Sequence, residues 1–292
     1  MDAQEVDELN DMYPIGTRIV NGGTIEVFSI KNNDNFVIIN AKDAITVGDG
    51  STRKVKKGRA KPANKIAVNV FRLLELYGIP TAFVKQDSKT SFIAKHCKIF
   101  PYKISVRRKA NGSLLKRKPK ISAGQRFKEP LIDFYLKTKN NKWRMHNFPC
   151  NDPFIRFSVD QLGKICEINL HHPAKPFYAG SPFKRLFPSE VFALGEQKIL
   201  FDEMTNTARN VFYALETAWK RQGMTLVDLK IEFGLTQQGK LVVAGIVDID
   251  SLSLLDSLGK HFDKQTSENA GSVKDVQKCY IAVAKMTEKF IP

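Results

Sequence analysis

The chain is sparing with cysteine: four in 292 residues, at Cys97, Cys150, Cys166 and Cys279, with no C-x-x-C pair. That spacing excludes a zinc knuckle or a dense disulfide frame and points to a reduced, cytoplasmic compartment. No apolar run approaches membrane-spanning length, so no membrane association is expected. Gly-x-Gly-x-x-Gly, P-loop and zincin signatures are all missing. His171-His172, before Pro173, has no cysteine or acid at ligand spacing and reads as a surface loop rather than a metal site. The first eleven residues carry acids but no lysine or arginine, the opposite of a signal or transit peptide. There is no internal repeat.

Positive charge, by contrast, is abundant. Forty-six Lys+Arg face 30 Asp+Glu, a net charge of +16, which favours polyanionic ligands. The 42 % hydrophobic and 26 % charged composition is that of an ordinary globular protein, long enough for two lobes. Two acid-free stretches hold much of the charge. The one from Arg53 to Lys65 reads as a solvated loop. The other runs from Lys103 to Lys128 and contains Val106-Arg-Arg-Lys-Ala-Asn-Gly-Ser-Leu-Leu-Lys-Arg117. A Gly-Ser turn flanked by arginines can cradle a phosphate, and an Asn-Gly hairpin turn with solvated bases fits the same letters. Both readings stand on spacing alone.

Hydrophobic periodicity supplies the elements. Arg18 to Ile30 reads as a hairpin turning at Asn21-Gly22-Gly23, and Asn64 to Tyr77 as a helix closed by Gly78. Strands are expected at Phe36–Asn40, Thr81–Val84, Ser91–Ala94, Tyr102–Arg108 and Leu131–Lys137. Lys139 to Pro153 is expected as a polar loop and Leu170 to Pro188 as an irregular insertion. Glu196–Arg221 and Ser272–Phe290 read as helices. Leu226-Val-Asp-Leu-Lys-Ile-Glu-Phe-Gly234 alternates strictly, with Val227, Leu229, Ile231 and Phe233 on one face and Asp228, Lys230 and Glu232 on the other. An acid, a base and an acid in one row suit a charged ligand. The returning strand, Lys240 to Asp250, carries Gly245 within its apolar run. The expected fold class is α+β in two lobes: an acidic segment 1–15, a β-rich lobe 16–105 and an α+β lobe 106–292.

Several of these stretches together resemble the phosphoribosylaminoimidazole-succinocarboxamide synthase (SAICAR synthetase) family, in particular the version fused to a carboxylase in animals. The carriers are Lys42-Asp-Ala-Ile-Thr-Val-Gly-Asp49, Asn64-Lys-Ile, Gly78-Ile-Pro-Thr-Ala-Phe83, Val106-Arg-Arg, Gly112-Ser-Leu-Leu-Lys-Arg117, Asn151-Asp-Pro153, the strand ending at Gly234, and Asp263-Lys-Gln265. No carboxylase domain is expected after Pro292. The resemblance implies two lobes with an ATP cleft between them. It also implies a ligation in purine synthesis: ATP phosphorylates the carboxylate of carboxyaminoimidazole ribotide, and the amine of aspartate displaces the phosphate to form an amide. ATP and Mg²⁺ are the implied cofactors, the ribotide and aspartate the implied partners. A homo-oligomer is left open. By position, Arg107, Ser113 and Arg117 match residues that hold the ribotide phosphate, and Asp49 and Asp152 match polar positions at the substrate end. Lys230 and Glu232 match the catalytic pair facing the nucleotide phosphates, Glu232 also the metal; Thr24 falls in the nucleotide-binding turn.

The same comparison shows departures. The family's Gly-Lys-Thr-Lys reads Gly22-Gly-Thr-Ile25 here, so two lysines near ATP are missing. A metal-side Asp becomes Gly245, an Arg becomes Ser253 and a Trp becomes Leu255, while two glutamates become Lys57 and Lys103. Without a carboxylate at 245, Glu232 has little company for a hard dication. Each lost electrostatic contact typically costs ~2.7–4 kcal/mol of transition-state stabilisation. The expectation is an SAICAR synthetase-like protein with reduced or no activity. Alternatives are a pseudoenzyme serving as a ribotide-binding or regulatory partner and a basic nucleic-acid-binding protein. The last is disfavoured because no aromatics interleave with the lysines. Lys57 and Lys103 are expected to replace part of the missing positive charge.

Overall fold

The computed structural model describes residues 13–47, 52–55, 58–176, 182–192, 197–262 and 273–291. It is a mixed α+β structure, as expected, and separates into two compact units. One comprises Met1–Lys98, Gly234–Asp250 and Asp263–Pro292, the other Ile99–Phe233 and Ser251–Phe262. The chain thus returns to its first unit after residue 233, whereas the sequence suggested one boundary after 105.

The first unit begins with strands β1 (Ile15–Asn21), β2 (Ile25–Ile30), β3 (Asn33–Ala41), β4 (Ala44–Val47) and β5 (Thr52–Val55). Helix α1 (Ala60–Leu76) follows, then β6 (Phe83–Gln86) and β7 (Ser91–Lys95). The main sheet has the order β1-β2-β3-β7-β6, and β4 pairs separately with β5. Helix α1 buries Ile66, Val70, Phe71 and Leu74, and the Phe71 ring lies 5.7 Å from Phe83 and 5.6 Å from Phe92. It starts four residues earlier than periodicity indicated, so Lys61 and Lys65 are helical rather than part of a loop. The reason lies outside the helix: Asp43 Oδ1 accepts the Ala60 N–H at 2.7 Å and satisfies a free donor of the first turn. Burial raises the Asp43 carboxyl, but the N–H groups of Ala60, Gly58 and Arg59 outweigh it and hold the pKa below the usual value. Gly78, at φ +67°, ends the helix as expected.

Strand β8 (Cys97–Ile99) falls at the division. The second unit continues with β9 (Tyr102–Lys109), α2 (Gly112–Arg117), β10 (Arg126–Leu136), β11 (Lys142–Trp143) and β12 (His146–Asn147). Next come β13 (Phe154–Val159), β14 (Ile165–His171), β15 (Lys184–Leu186), α3 (Pro188–Val191), α4 (Gln197–Arg221) and the long strand β16 (Thr225–Thr236). Its sheet runs β15-β14-β13-β10-β9-β16, with β18 (Leu252–Leu255) also pairing with β16. Strand β17 (Leu241–Ala244) belongs to the first unit, where Val243 exchanges backbone hydrogen bonds with Pro80 and Ala82. Helix α5 (Val273–Thr287) packs on α1.

In the second unit one open reading is decided and one expectation needs correction. Asn111-Gly112 is not the tip of the β9–β10 hairpin: Lys109 still pairs with Arg126, and α2 is inserted between the strands. Gly112 takes φ +53° to start that short helix, a conformation a β-carbon disfavours. Residues 139–153 are also more ordered than a loop, because they contain the β11–β12 hairpin and a buried Phe148. Phe154–Val159 and Ile165–His171 add two strands beyond those expected from the sequence. These form β13 and β14, which extend the sheet beyond β10.

Candidate functional site

Three adjacent strands of the second unit, β10, β9 and β16, build a two-faced sheet. Arg107 pairs with Asp228, Ser105 with Lys230, and Ser105 with Asp133 on the other side. The register puts Tyr102, Ile104, Val106, Phe134, Leu229 and Ile231 on the face toward α4, all buried. Phe201 of α4 anchors that layer, with its ring 5.5 Å from Tyr102 and 4.9 Å from Phe134. By strand alternation the opposite face carries Lys103, Ser105 and Arg107 on β9, Asp133, Tyr135 and then Lys137 on and after β10, and Asp228, Lys230 and Glu232 on β16. The expected acid–base–acid row is therefore one column of a wider polar lattice.

One end of this lattice is closed over. Asp133 Oδ2 receives Arg107 and Arg117, each at 2.5 Å, and the Tyr135 hydroxyl accepts Arg117 at 2.9 Å and Arg107 at 3.3 Å. Arg117 also lies 3.9 Å above the Phe154 ring. Both arginines are almost wholly buried, and Asp228, also buried, accepts the Asn111 amide. Burial works against the Arg107 charge, but Tyr135, Asp133 and Asp228 outweigh it and its pKa rises. Arg107 Nε and Ser105 Oγ are buried without a hydrogen-bond partner in the structure. Ser113, the third expected phosphate residue, is half-buried in the first turn of α2. Arg107 and Arg117 are thus brought together, but by Asp133 rather than by open space.

The other end is more open. Lys137 Nζ donates to Glu232 Oε2 at 2.5 Å, and Lys103 Nζ donates to Asp152 Oδ2 at 2.7 Å. Asp152, at φ +45°, also accepts the Thr138 N–H at 3.0 Å, so it shapes the 138–152 loop as well. Lys230 is exposed. Asp133, Tyr135 and Lys137 were missed at the sequence level, although their period-two spacing in Leu-Ile-Asp-Phe-Tyr-Leu-Lys137 was the available signal.

The first unit contains a different polar centre. Arg59, just before α1, donates to Asp248 Oδ2 and Asp250 Oδ2, each at 2.6 Å, and to the Lys42 carbonyl at 3.1 Å. The Tyr280 hydroxyl donates to Asp250 Oδ1 at 2.5 Å. Burial, aided by the like charge of Asp250, lifts Asp248 to about 6 despite Arg59. Thr24 takes part through its carbonyl, which accepts the Lys42 N–H at 2.8 Å. Lys42 Nζ reaches Asn21 at 2.7 Å, placing a cation on the turn whose two expected lysines are missing. Gly245, after β17, has φ +75°. Asp49 and Lys57 lie outside the described residues.

Mg²⁺ does not fit the residues in view. The Glu232 carboxylate is already neutralised by Lys137, and the described residues contain no cluster of three metal-binding side chains. A dication beside Glu232 would meet one carboxylate and an ammonium.

The family model described as SAICAR synthetase matches residues 18–150 and 185–283. The chain belongs to the SAICAR synthetase family. It is similar to the phosphoribosylaminoimidazole-succinocarboxamide synthase of Chloroflexus aurantiacus, 34 % identical over 94 % of this chain and 98 % of that one. It is 32 % identical, over 91 % of its length, to the bifunctional carboxylase/synthetase of Rattus norvegicus, of which the match covers 55 %. Among solved structures, an SAICAR synthetase in complex with ADP aligns with TM-score 0.70 at 24 % identity, covering 91 % of this chain and 96 % of the other. The synthase from Ehrlichia chaffeensis also gives TM-score 0.70, at 23 % identity, covering 94 % and 100 %. At those identities the structures establish the fold. Residues 151–184, which contain β13 and β14, fall outside the family match. No helix among the described residues is long and apolar enough to cross a membrane.

Proposed function

We propose that this SAICAR synthetase-like protein of purine synthesis acts in the cytoplasm, retains recognition of a phosphorylated ribotide, and has lost most of the ATP- and Mg²⁺-dependent ligation. The supporting observation is the Lys137–Glu232 ion pair. It occupies the carboxylate that the family resemblance assigns to metal and nucleotide, and residue 245 brings no second acid. Lys230, Glu232 and Thr24 are the positions through which a nucleotide would be met; Glu232 is held by Lys137, Lys230 is exposed, and Thr24 is kept in a turn that lacks the two lysines.

The ribotide end is better preserved. Ser113 lies in α2 between Asn111, which is bound to Asp228, and Arg117, which is bound to Asp133. Its hydroxyl would donate to a phosphate oxygen, with Arg107 and Arg117 held behind it as a preset cationic layer. Asp152 and Asp49 would face the polar remainder of the substrate, Asp152 with its charge already balanced by Lys103. The ancestral reaction forms an acyl phosphate on the ribotide carboxylate and an amide with aspartate. Here binding outlasts turnover.

Thermal shift and a direct turnover assay on the full chain test this. Carboxyaminoimidazole ribotide should raise the melting temperature, and Ser113→Ala should weaken that binding roughly tenfold, the loss of one charge-assisted hydrogen bond. Product formation with ribotide, aspartate and Mg-ATP should stay near background. Robust turnover by the unmodified chain overturns the lost ligation, and the absence of any ribotide effect overturns the retained recognition.

A further inference from the structure

We propose that a groove on the first unit, lined by α1, α5 and the β6–β7 turn, binds a compact polyphosphate ester. None of the residues assigned from the family resemblance lines it. Lys61, Lys65, Asn69 and Arg72 recur along α1 at helical spacing and form its first wall. Ile281, Ala284, Lys285 and Glu288 of α5 form the second, and Gln86 and Lys89 close it from the β6–β7 turn. The groove is open to solvent, and its volume of about 650 Å³ is within the range of small-molecule sites.

Charge and rigidity together suggest a ligand. Five cationic side chains converge on the groove with a single acid, Glu288, which is already held by Lys65. Among the described residues Lys61, Arg72, Lys89 and Lys285 make no ion pair, and all four are exposed. A convex helix face with these charges would simply be solvated. Here three separate elements aim them into one concavity, where like charges repel until an anion enters. Asn69 Nδ2 donates to Thr287 Oγ1 at 3.0 Å, which fastens α1 to α5 and fixes the spacing of the walls. Lys61 and Arg72 are eleven residues apart on the helix, roughly 16 Å. That span suits a chain of phosphates with an organic group attached better than a single phosphate. Ile281, 53 % exposed, gives the organic group an apolar surface to rest on.

The test is calorimetric titration of the full chain with inorganic tripolyphosphate at near-physiological salt. Three proteins are compared: the parent, Lys61→Gln/Arg72→Gln/Lys89→Gln, and a control of equal charge change, Lys31→Gln/Lys164→Gln/Lys220→Gln. The groove variant should bind at least roughly tenfold more weakly, since each exposed charge contributes a few tenths to one kcal/mol. The control should stay within about twofold, and both variants should keep the parent's melting temperature because all six side chains are exposed. Equal weakening in both variants would reduce the effect to net charge and overturn the site. So would absence of saturable binding by the parent, or tighter binding of a hepta-glutamate peptide than of tripolyphosphate.

Discussion

Lys137 Nζ and Glu232 Oε2 lie 2.5 Å apart across strand β9, joining the end of β10 to β16. This contact neutralises the acid that the family resemblance assigns to metal. Both side chains keep about a third of their surface in water (35 % and 27 %), so the bond contributes little to folding.

Lys137→Gln should therefore cost less than about 1 kcal/mol in urea unfolding. A loss of several kcal/mol would mean the pair is a structural staple rather than an adjustable contact.

Asp133 is a different kind of acid. It is buried and receives both Arg107 and Arg117. Asp133→Asn leaves two guanidinium groups in the sheet without their shared counter-charge, and should cost about 3–5 kcal/mol. Chemical denaturation measures this directly, and a cost under 1 kcal/mol would contradict the buried arrangement.

Gly245→Asp restores the acid suggested by the resemblance, but at φ +75°. An L-residue there is strained by about 1–2 kcal/mol, and aspartate and asparagine tolerate it better than most. The variant should thus fold with a lowered melting temperature, and Gly245→Val should be worse. If Gly245→Asp matches the parent in stability, the glycine is not there for its backbone.

Asp248 gives a pH signature. Its folded-state pKa, about 6, lies above the unfolded value of 3.8, so the folded state holds the proton longer. The associated stability is complete below about pH 4 and is lost as pH rises through 6. Relative to Asp248→Asn, the parent should therefore become progressively less stable between pH 4 and pH 6.5. A constant difference over that range in melting temperature would rule out the burial effect.

How much of this was legible depends on how local each cause is. The alternation of Val227 to Phe233 located β16, and Gly78 located a helix end, because these depend on side-chain period and backbone sign alone. The start of α1 was misplaced because its first donor is satisfied by Asp43, seventeen residues away. The Asn111-Gly112 step was undecided because a phosphate cradle and a hairpin use the same letters. What selected the short helix includes the Asn111–Asp228 contact, across more than a hundred residues.

By itself the sequence determined the α+β class, the family and the identity of the charged side chains, since these follow from local pattern and recurring motifs. Only the tertiary structure decided which charges neutralise one another. Arg107 and Arg117 turn inward to Asp133, Glu232 is taken by Lys137, and Arg59 is shared by Asp248 and Asp250. Such pairings depend on strand register and desolvation, which bring distant residues within hydrogen-bond reach and set how strongly each charge is felt.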